Sequence, residues 1–244
     1  MADRFKAEHV WDPPSLILDE AIAAQRKLLS GFKANPRVTK QLFEESMKPI
    51  HVAVSLDGEP TLYPLIADLI REIDRRRMTS FLVTNGTMPQ RLREMVESGM
   101  EPTNLYISIY GPDKATYQKV TLPLIPDAWE RALASLRLLP SFKRSRTIMR
   151  LTLVKEQNMH DPKSYSRLVM EGAPTAIELK GYSWLGESKN RLPISAMPYQ
   201  SEIREFAREM EEGSGYKIVA EDPVSRVVLL AQDRSVTGLS LDTR

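Results

Sequence analysis

The chain of 244 residues contains no cysteine. That excludes disulfides and any thiolate-held metal supplied by this polypeptide alone. It has no apolar run near the roughly 18 residues that a membrane span needs, so no membrane partner is expected. Histidine is scarce. His9, His51 and His160 show no metal-ligand spacing, and no metal-binding residue is assigned. A surplus of one charge is missing too. Lys and Arg total 34 against 32 Asp and Glu, a net charge of +2, which is weak support for a nucleic-acid partner. Local clusters at Arg75-Arg76-Arg77 and Lys143-Arg144-Ser145-Arg146 read as solvated helix ends or loops, with phosphate contact as the alternative. No tandem repeat or low-complexity segment is present. The opening Met1-Ala2-Asp3-Arg4-Phe5-Lys6 is too polar for a secretory leader, which gives the cytoplasm as the expected location.

What the chain does have is an ordinary globular composition, with 42% hydrophobic and 27% charged residues. Its length suits one α/β barrel-sized domain or two small ones. Strand-like and helix-like stretches alternate. Asp12-Pro13 reads as a cap and first helical residue, and Gly31 as the close of that helix. Strand 51–56 follows, and then a helix opened by Pro64 and ending near Arg77. Strand 80–84 stops at Asn85-Gly86, a turn pair. Pro89 opens the next helix, with Gly99 after it. Strand 104–110, a short helix at 113–119, a longer helix opened by Pro126 and strand 147–154 come next. Asp161-Pro162 repeats the cap signal. Strand 176–180 leads into a loop rich in Gly and Ser, then a helix from Tyr199 to Glu212. Two strand-like runs, 216–220 and 226–232, end the pattern.

Five strands separated by helical sequence imply parallel βα units, closed either as an open doubly wound sheet or as a barrel. The strand faces bear on the choice. Internal parallel strands covered by helices on both sides should be apolar on both faces. Here Arg150 and Thr152 share one face and Leu151 and Leu153 the other. Glu178 and Lys180 oppose Ile177 and Leu179, and Tyr106, Ser108 and Tyr110 repeat the pattern. A partial barrel with a polar lumen is expected, and a solvent-exposed sheet face is the alternative.

The run Ser55-Leu56-Asp57-Gly58-Glu59-Pro60-Thr61-Leu62-Tyr63-Pro64 ends a strand in a sharp turn. It places one carboxylate and several backbone groups at a sheet's carboxyl edge, where such sheets bind ligands. Gly58-Glu59-Pro60 resembles the glycine-glutamate motif of radical S-adenosylmethionine (SAM) enzymes. Phe81-Leu82-Val83-Thr84-Asn85-Gly86-Thr87, Leu105-Tyr106-Ile107-Ser108-Ile109-Tyr110, Arg150-Leu151-Thr152-Leu153-Val154-Lys155, Ile177-Glu178-Leu179-Lys180-Gly181 and Gly186-Glu187-Ser188 follow it. In that order and spacing the set is similar to the 4-demethylwyosine synthase family. The resemblance covers residues 11–234 of what reads as one domain spanning 1–244.

The resemblance implies an α/β fold, a partial (β/α)6-type radical SAM barrel, here ending in a strand pair. It implies SAM as cofactor and a 4Fe-4S cluster held by a Cys-x3-Cys-x2-Cys loop after the first strand. It also implies a 5′-deoxyadenosyl radical acting on pyruvate, two of whose carbons close a third ring on N1-methylguanosine in tRNA. An electron donor for the cluster is implied as a partner, and a monomer is expected. The cysteine loop should lie before the helix near Asp12, where residues 1–11 hold no cysteine. The expectation is a barrel lacking its first strand and cluster loop through truncation, unable to cleave SAM alone. A natural protein that has abandoned the cluster is the alternative.

Carried over residue by residue, the resemblance places Gly58, Glu59, Thr84, Asn85 and Ser108 around SAM. A glycine lets backbone approach the ligand, and an ammonium group needs oxygen acceptors. Glu59 as a solvated turn residue and Asn85 as a structural turn residue are the bland alternatives. Arg150, Glu178, Trp184, Lys189 and Arg191 are the candidate substrate contacts. Arg suits a carboxylate or phosphate, although Glu178 could simply neutralise Arg150 or Lys180. Trp184 with Lys189 and Arg191 could stack on a base and grip phosphates, or could pack a loop. Lys180 is the first candidate and Lys155 the second for a Schiff base with pyruvate's ketone. Two other functions fit the residues: a cluster-free Schiff-base aldolase or lyase, and a non-catalytic tRNA-binding scaffold.

Overall fold

The fold, seen in a computed structural model, is described over residues 10–55 and 58–233. Five strands pair in parallel: β1 (His51–Val54), β2 (Thr79–Thr84), β3 (Asn104–Ile109), β4 (Arg146–Leu153) and β5 (Ala176–Gly181). β6 (Lys217–Asp222) and β7 (Val227–Ala231) form a hairpin whose second strand lies antiparallel on β5. The sheet order is β1-β2-β3-β4-β5-β7-β6. This mixed, mostly parallel α/β architecture agrees with the expected fold class. Leu56, the last residue of the expected first strand, lies with Asp57 and His9 outside the described residues.

Helices α1 (Pro14–Ser30), α2 (Lys40–Ser46), α3 (Ile66–Arg75), α4 (Pro89–Ser98), α5 (Lys114–Thr121), α6 (Ala128–Arg137), α7 (Pro162–Gly172) and α8 (Gln200–Ser214) complete the chain. Asp161 caps α7 by accepting from Ser164 N, as its Asp-Pro pair signals. Gly99 closes α4 in the left-handed region at φ 66°. Some boundaries differ from the sequence expectation. Pro13, not Asp12, caps α1, and Gly31 ends it with φ −67°. Pro60–Leu62 form a 3-10 turn that delays α3 to Ile66. The α2 helix lacks an apolar stripe; Thr39 fixes its start by accepting from Leu42 N.

One sheet face carries the core. Leu82, Leu105, Ile107, Ile109, Leu151, Leu153, Ile177 and Leu179 are buried with apolar residues of α3, α4, α6, α7 and α8. Burying that face is the main source of stability, at about 25 cal/mol per Å². The opposite face holds Phe81, Val83, Tyr106, Arg150, Thr152, Glu178 and Lys180, all half-buried. Helical cover on one face explains why β3, β4 and β5 set apolar side chains against largely polar ones, and it excludes the doubly wound arrangement. The tandem arginines are already engaged. Arg75 and Arg76 bind Glu72, and Arg76 also binds Asp19.

Candidate active site

Parallel strands all end at the same sheet edge, so the residues after them converge. A cavity of about 650 Å³ opens there. Glu59 after β1, Asn85 after β2, Tyr110 after β3, Thr152 in β4 and Tyr182 after β5 all line it. Each parallel strand thus delivers one polar group to a common space.

Glu59 is fixed in place. Its Oε1 accepts from Thr61 N at 3.0 Å, Thr61 Oγ1 at 2.6 Å and Thr84 Oγ1 at 2.7 Å. Its Oε2 accepts from Asn85 N at 2.7 Å. The carboxylate pins the turn after β1 to the end of β2. Gly58 adopts φ 74° with open space where a Cβ would stand, so the backbone is accessible to a ligand. Thr84 is 2% exposed. Its hydroxyl donates to Glu59 and accepts from Gly86 N, so it supports the turn rather than lining the cavity. Asn85 Oδ1 accepts from the Thr87 N–H and hydroxyl at 2.9 and 2.6 Å, which shapes the turn through Gly86 at φ 73°. Ser108 is buried and its hydroxyl makes no hydrogen bond among the described residues; it registers with Arg150 across β3 and β4.

Arg150 and Glu178 meet on the polar sheet face. Arg150 Nε donates to Glu178 Oε1 at 2.6 Å, and the guanidinium lies 4.4 Å from the centroid of the Tyr106 ring. Burial, with Glu178 nearby, pushes the Tyr106 phenol up from its ordinary value and keeps it neutral. Lys180 registers with Thr152, a cavity residue, and its Nζ has no ion pair or hydrogen bond among the described residues; Lys180 itself, like Arg150, Glu178 and Ser108, lies outside the cavity lining. Lys155 differs. Its Nζ binds both Glu202 oxygens, at 3.1 and 3.2 Å, and lies 4.9 Å from the Tyr199 ring.

The loop after β5 folds back across the cavity. Trp184 Nε1 donates to Leu192 O at 2.7 Å, and Tyr182 OH contacts Ser188 Oγ at 2.8 Å. Lys189 Nζ sits 4.8 Å from the Trp184 ring, while Arg191 lines the cavity. Trp184 therefore serves the loop's own packing on one face. No group of three His, Cys, Asp or Glu among the described residues could hold a metal ion.

Several contributors escaped the sequence reading. Tyr182 and Tyr117 line the cavity beside Tyr110, whose place on the polar strand face the alternation predicts; burial and Tyr110 push the Tyr117 phenol up to about 12. Asn158 is 1% exposed. Its Nδ2 donates to Tyr110 O at 3.0 Å and Thr152 O at 2.9 Å, and its Oδ1 accepts from Val154 N at 2.7 Å. One amide thus ties the ends of β3 and β4 together. The apolar segment 122–125 also lines the cavity through Pro123, Leu124 and Ile125. Pro123, with Pro126 just beyond the segment, and the unpatterned Leu122 and Leu124 were the available signal.

Known proteins are similar to this chain in sequence and fold. The radical SAM superfamily matches residues 32–169, and the family described as wyosine base formation matches residues 171–232. The S-adenosyl-L-methionine-dependent tRNA 4-demethylwyosine synthase of Pyrococcus horikoshii is 49% identical over 224 residues, covering 91% of this chain and 65% of that protein. The Homo sapiens protein of the same name, TYW1, is 36% identical over 230 residues, covering 93% and 31%. The chain thus spans about two thirds of the archaeal relative's length. Among solved structures, TYW1 with a lysine-pyruvate adduct bound superposes with a TM-score of 0.82 at 32% identity, over 93% of this chain and 72% of that one. An archaeal TYW1 crystal structure gives 0.77 at 30% identity, over 94% and 74%. The chain belongs to the radical SAM superfamily and, within it, to the TYW1 family of tRNA 4-demethylwyosine synthases.

Proposed function

We propose that this chain forms the substrate and SAM pocket of a tRNA 4-demethylwyosine synthase, joining pyruvate-derived carbons to N1-methylguanosine. The observation that carries the reading is the convergence of Glu59, Asn85, Tyr110, Thr152 and Tyr182 from five successive strands on one cavity, in a chain of this family. Family membership disfavours the aldolase and bare-scaffold alternatives.

The residues fit only part of the cofactor set. A 4Fe-4S cluster is held by thiolates, and the chain has no cysteine. The chain therefore contributes pocket walls and not cluster ligands, and an electron donor would act on a cluster held by other residues. SAM, which supplies the reactive radical in this superfamily, suits the turn after β1. Its ammonium would face the open backbone around Gly58 and Glu59, and Asn85 and Ser108 would offer polar groups to its carboxylate or ribose. Thr84 would act by holding Glu59.

Pyruvate fits the polar sheet face. Arg150 would bind its carboxylate through the terminal guanidinium nitrogens, with Glu178 orienting the group through Nε. Lys180 Nζ would attack the ketone carbon. The C–N bond forms, the ketone oxygen leaves as water, and an imine remains. A TYW1 structure holds a lysine-pyruvate adduct, and Lys180 is the better placed of the two candidates because Lys155 is committed to Glu202 and Tyr199. Trp184, Lys189 and Arg191 would meet tRNA at the rim, with a monomer as the working unit.

The test needs no cluster. The chain is incubated with pyruvate and cyanoborohydride, then digested and mapped by mass spectrometry. A reduced pyruvyl adduct on Lys180, lost in Lys180→Met and kept in Lys155→Met, is the expected result. No adduct at saturating pyruvate, or one on Lys155 alone, overturns the assignment.

A further inference from the structure

The rim of the cavity carries apolar side chains that the fold leaves uncovered. α5 ends in Leu122, a left-handed cap at φ 47°, and residues 122–125 then cross to α6. Pro123 and Pro126 restrict the backbone on either side of Leu124. Leu124 is fully exposed, and Leu122 and Leu62 are more than half exposed. Leu124, Pro123, Ile125 and Leu62 line the same cavity as Asn85 and Tyr110. A left-handed leucine costs about 1–2 kcal/mol, so the surrounding structure must hold Leu122 in that conformation.

We infer that segment 122–125 is an apolar seat for an unstacked nucleobase of the RNA substrate. The inference rests on the tRNA reading above and assigns the contact to residues outside the SAM and pyruvate positions. A base taken out of its stack presents two flat apolar faces on a chain of phosphates. The rim matches both features. Leu124 and Leu62 supply apolar surface next to the cavity. Arg191, in the loop after β5, lines the same cavity without an ion pair among the described residues, and Lys189 of that loop stands on Trp184. The acids near segment 122–125 are neutralised, Asp127 by Arg131 and Glu130 by Lys114. Glu187, bonded to Asn190, is the acid on the loop. Arg191 and Lys189 thus place two cations on the rim for the phosphates on either side of such a base, while Glu59, the acid of the cavity lining, is held by its own hydrogen bonds.

The test compares binding of a fluorescent anticodon stem-loop, and of an RNA duplex without a loop, to the full chain and its variants by anisotropy. Leu124→Ser should weaken stem-loop binding about tenfold, the effect of withdrawing much of a leucine's buried surface, and leave duplex binding and the thermal midpoint unchanged. Met170→Ser, which alters an exposed residue of α7, should change nothing. Equal stem-loop affinity for Leu124→Ser and the unaltered chain overturns the seat alone. Failure of the unaltered chain to bind the stem-loop even at low salt overturns the tRNA reading and the seat with it. A change in self-association of Leu124→Ser with unchanged RNA affinity marks the segment as a protein contact and overturns the seat.

Discussion

Arg150 gives its Nε to Glu178 at 2.6 Å and keeps its two terminal nitrogens free of any described partner. Glu178 thus fixes the plane of the guanidinium without using the edge best suited to a carboxylate. Arg150→Lys removes that fork while keeping the charge. The pyruvate concentration giving half-maximal adduct should rise about tenfold, equivalent to losing one charge-assisted hydrogen bond. The adduct at saturating pyruvate should still map to Lys180. A titration of adduct yield by mass spectrometry checks both; an unchanged midpoint would remove Arg150 from carboxylate binding.

Glu59 accepts four hydrogen bonds from three residues. A glutamine has one accepting oxygen and turns an amide donor toward the others. Glu59→Gln should therefore cost about 1–3 kcal/mol. For a domain of this size that lowers the thermal midpoint by about 2–4 °C per kcal/mol. Calorimetric SAM affinity should fall with it, because the Gly58 backbone moves when its anchor loosens. A variant with wild-type stability would show that these four hydrogen bonds contribute nothing net to folding.

Asn158→Ala leaves Val154 N and the carbonyls of Tyr110 and Thr152 without their shared partner. Three orphaned groups at a buried position should destabilise the chain by about 2–4 kcal/mol. Urea unfolding should record that loss in the midpoint with little change in slope. Asn158→Asp keeps the acceptor for Val154 but sets a carboxylate against two carbonyls, and should rescue little.

Glu72 gives a pH signature. Hydrogen bonds from Arg75 and then Arg76 hold its carboxyl at about 2, below the ordinary 4.5. A folded-state value below the unfolded one means the contribution is complete above 4.5 and disappears as pH falls toward 2. The pair is near the surface, so the contribution stays below about 1 kcal/mol. Thermal midpoints of the chain and of Glu72→Gln should converge across that window; parallel curves would contradict the assignment.

The alternation Arg150-Leu151-Thr152-Leu153 and Ile177-Glu178-Leu179-Lys180 made the one-sided helical cover legible, because period-two polarity survives only where one face lacks a helix. Glu59 and Asn85 marked the cavity, with Gly58 and Thr84 shaping the turns beside them, because turn chemistry is local. Asn158 was not legible. Its three bonds join segments up to 48 residues apart, and a single asparagine in a loop carries no periodic signal. Which cation Glu178 would neutralise was equally undecided in the sequence, since both lie on one face; strand register put Arg150 opposite it. α2 escaped because its seven residues bury nothing, so no apolar stripe announced it.

A pocket assembled from the tips of five strands makes occupancy and folding a single equilibrium. Any small molecule seated there touches neighbours that are far apart in the chain and come together only in the finished sheet. Mass action then raises the melting temperature with ligand concentration, and the denatured chain, with its strand tips scattered, competes for none of it.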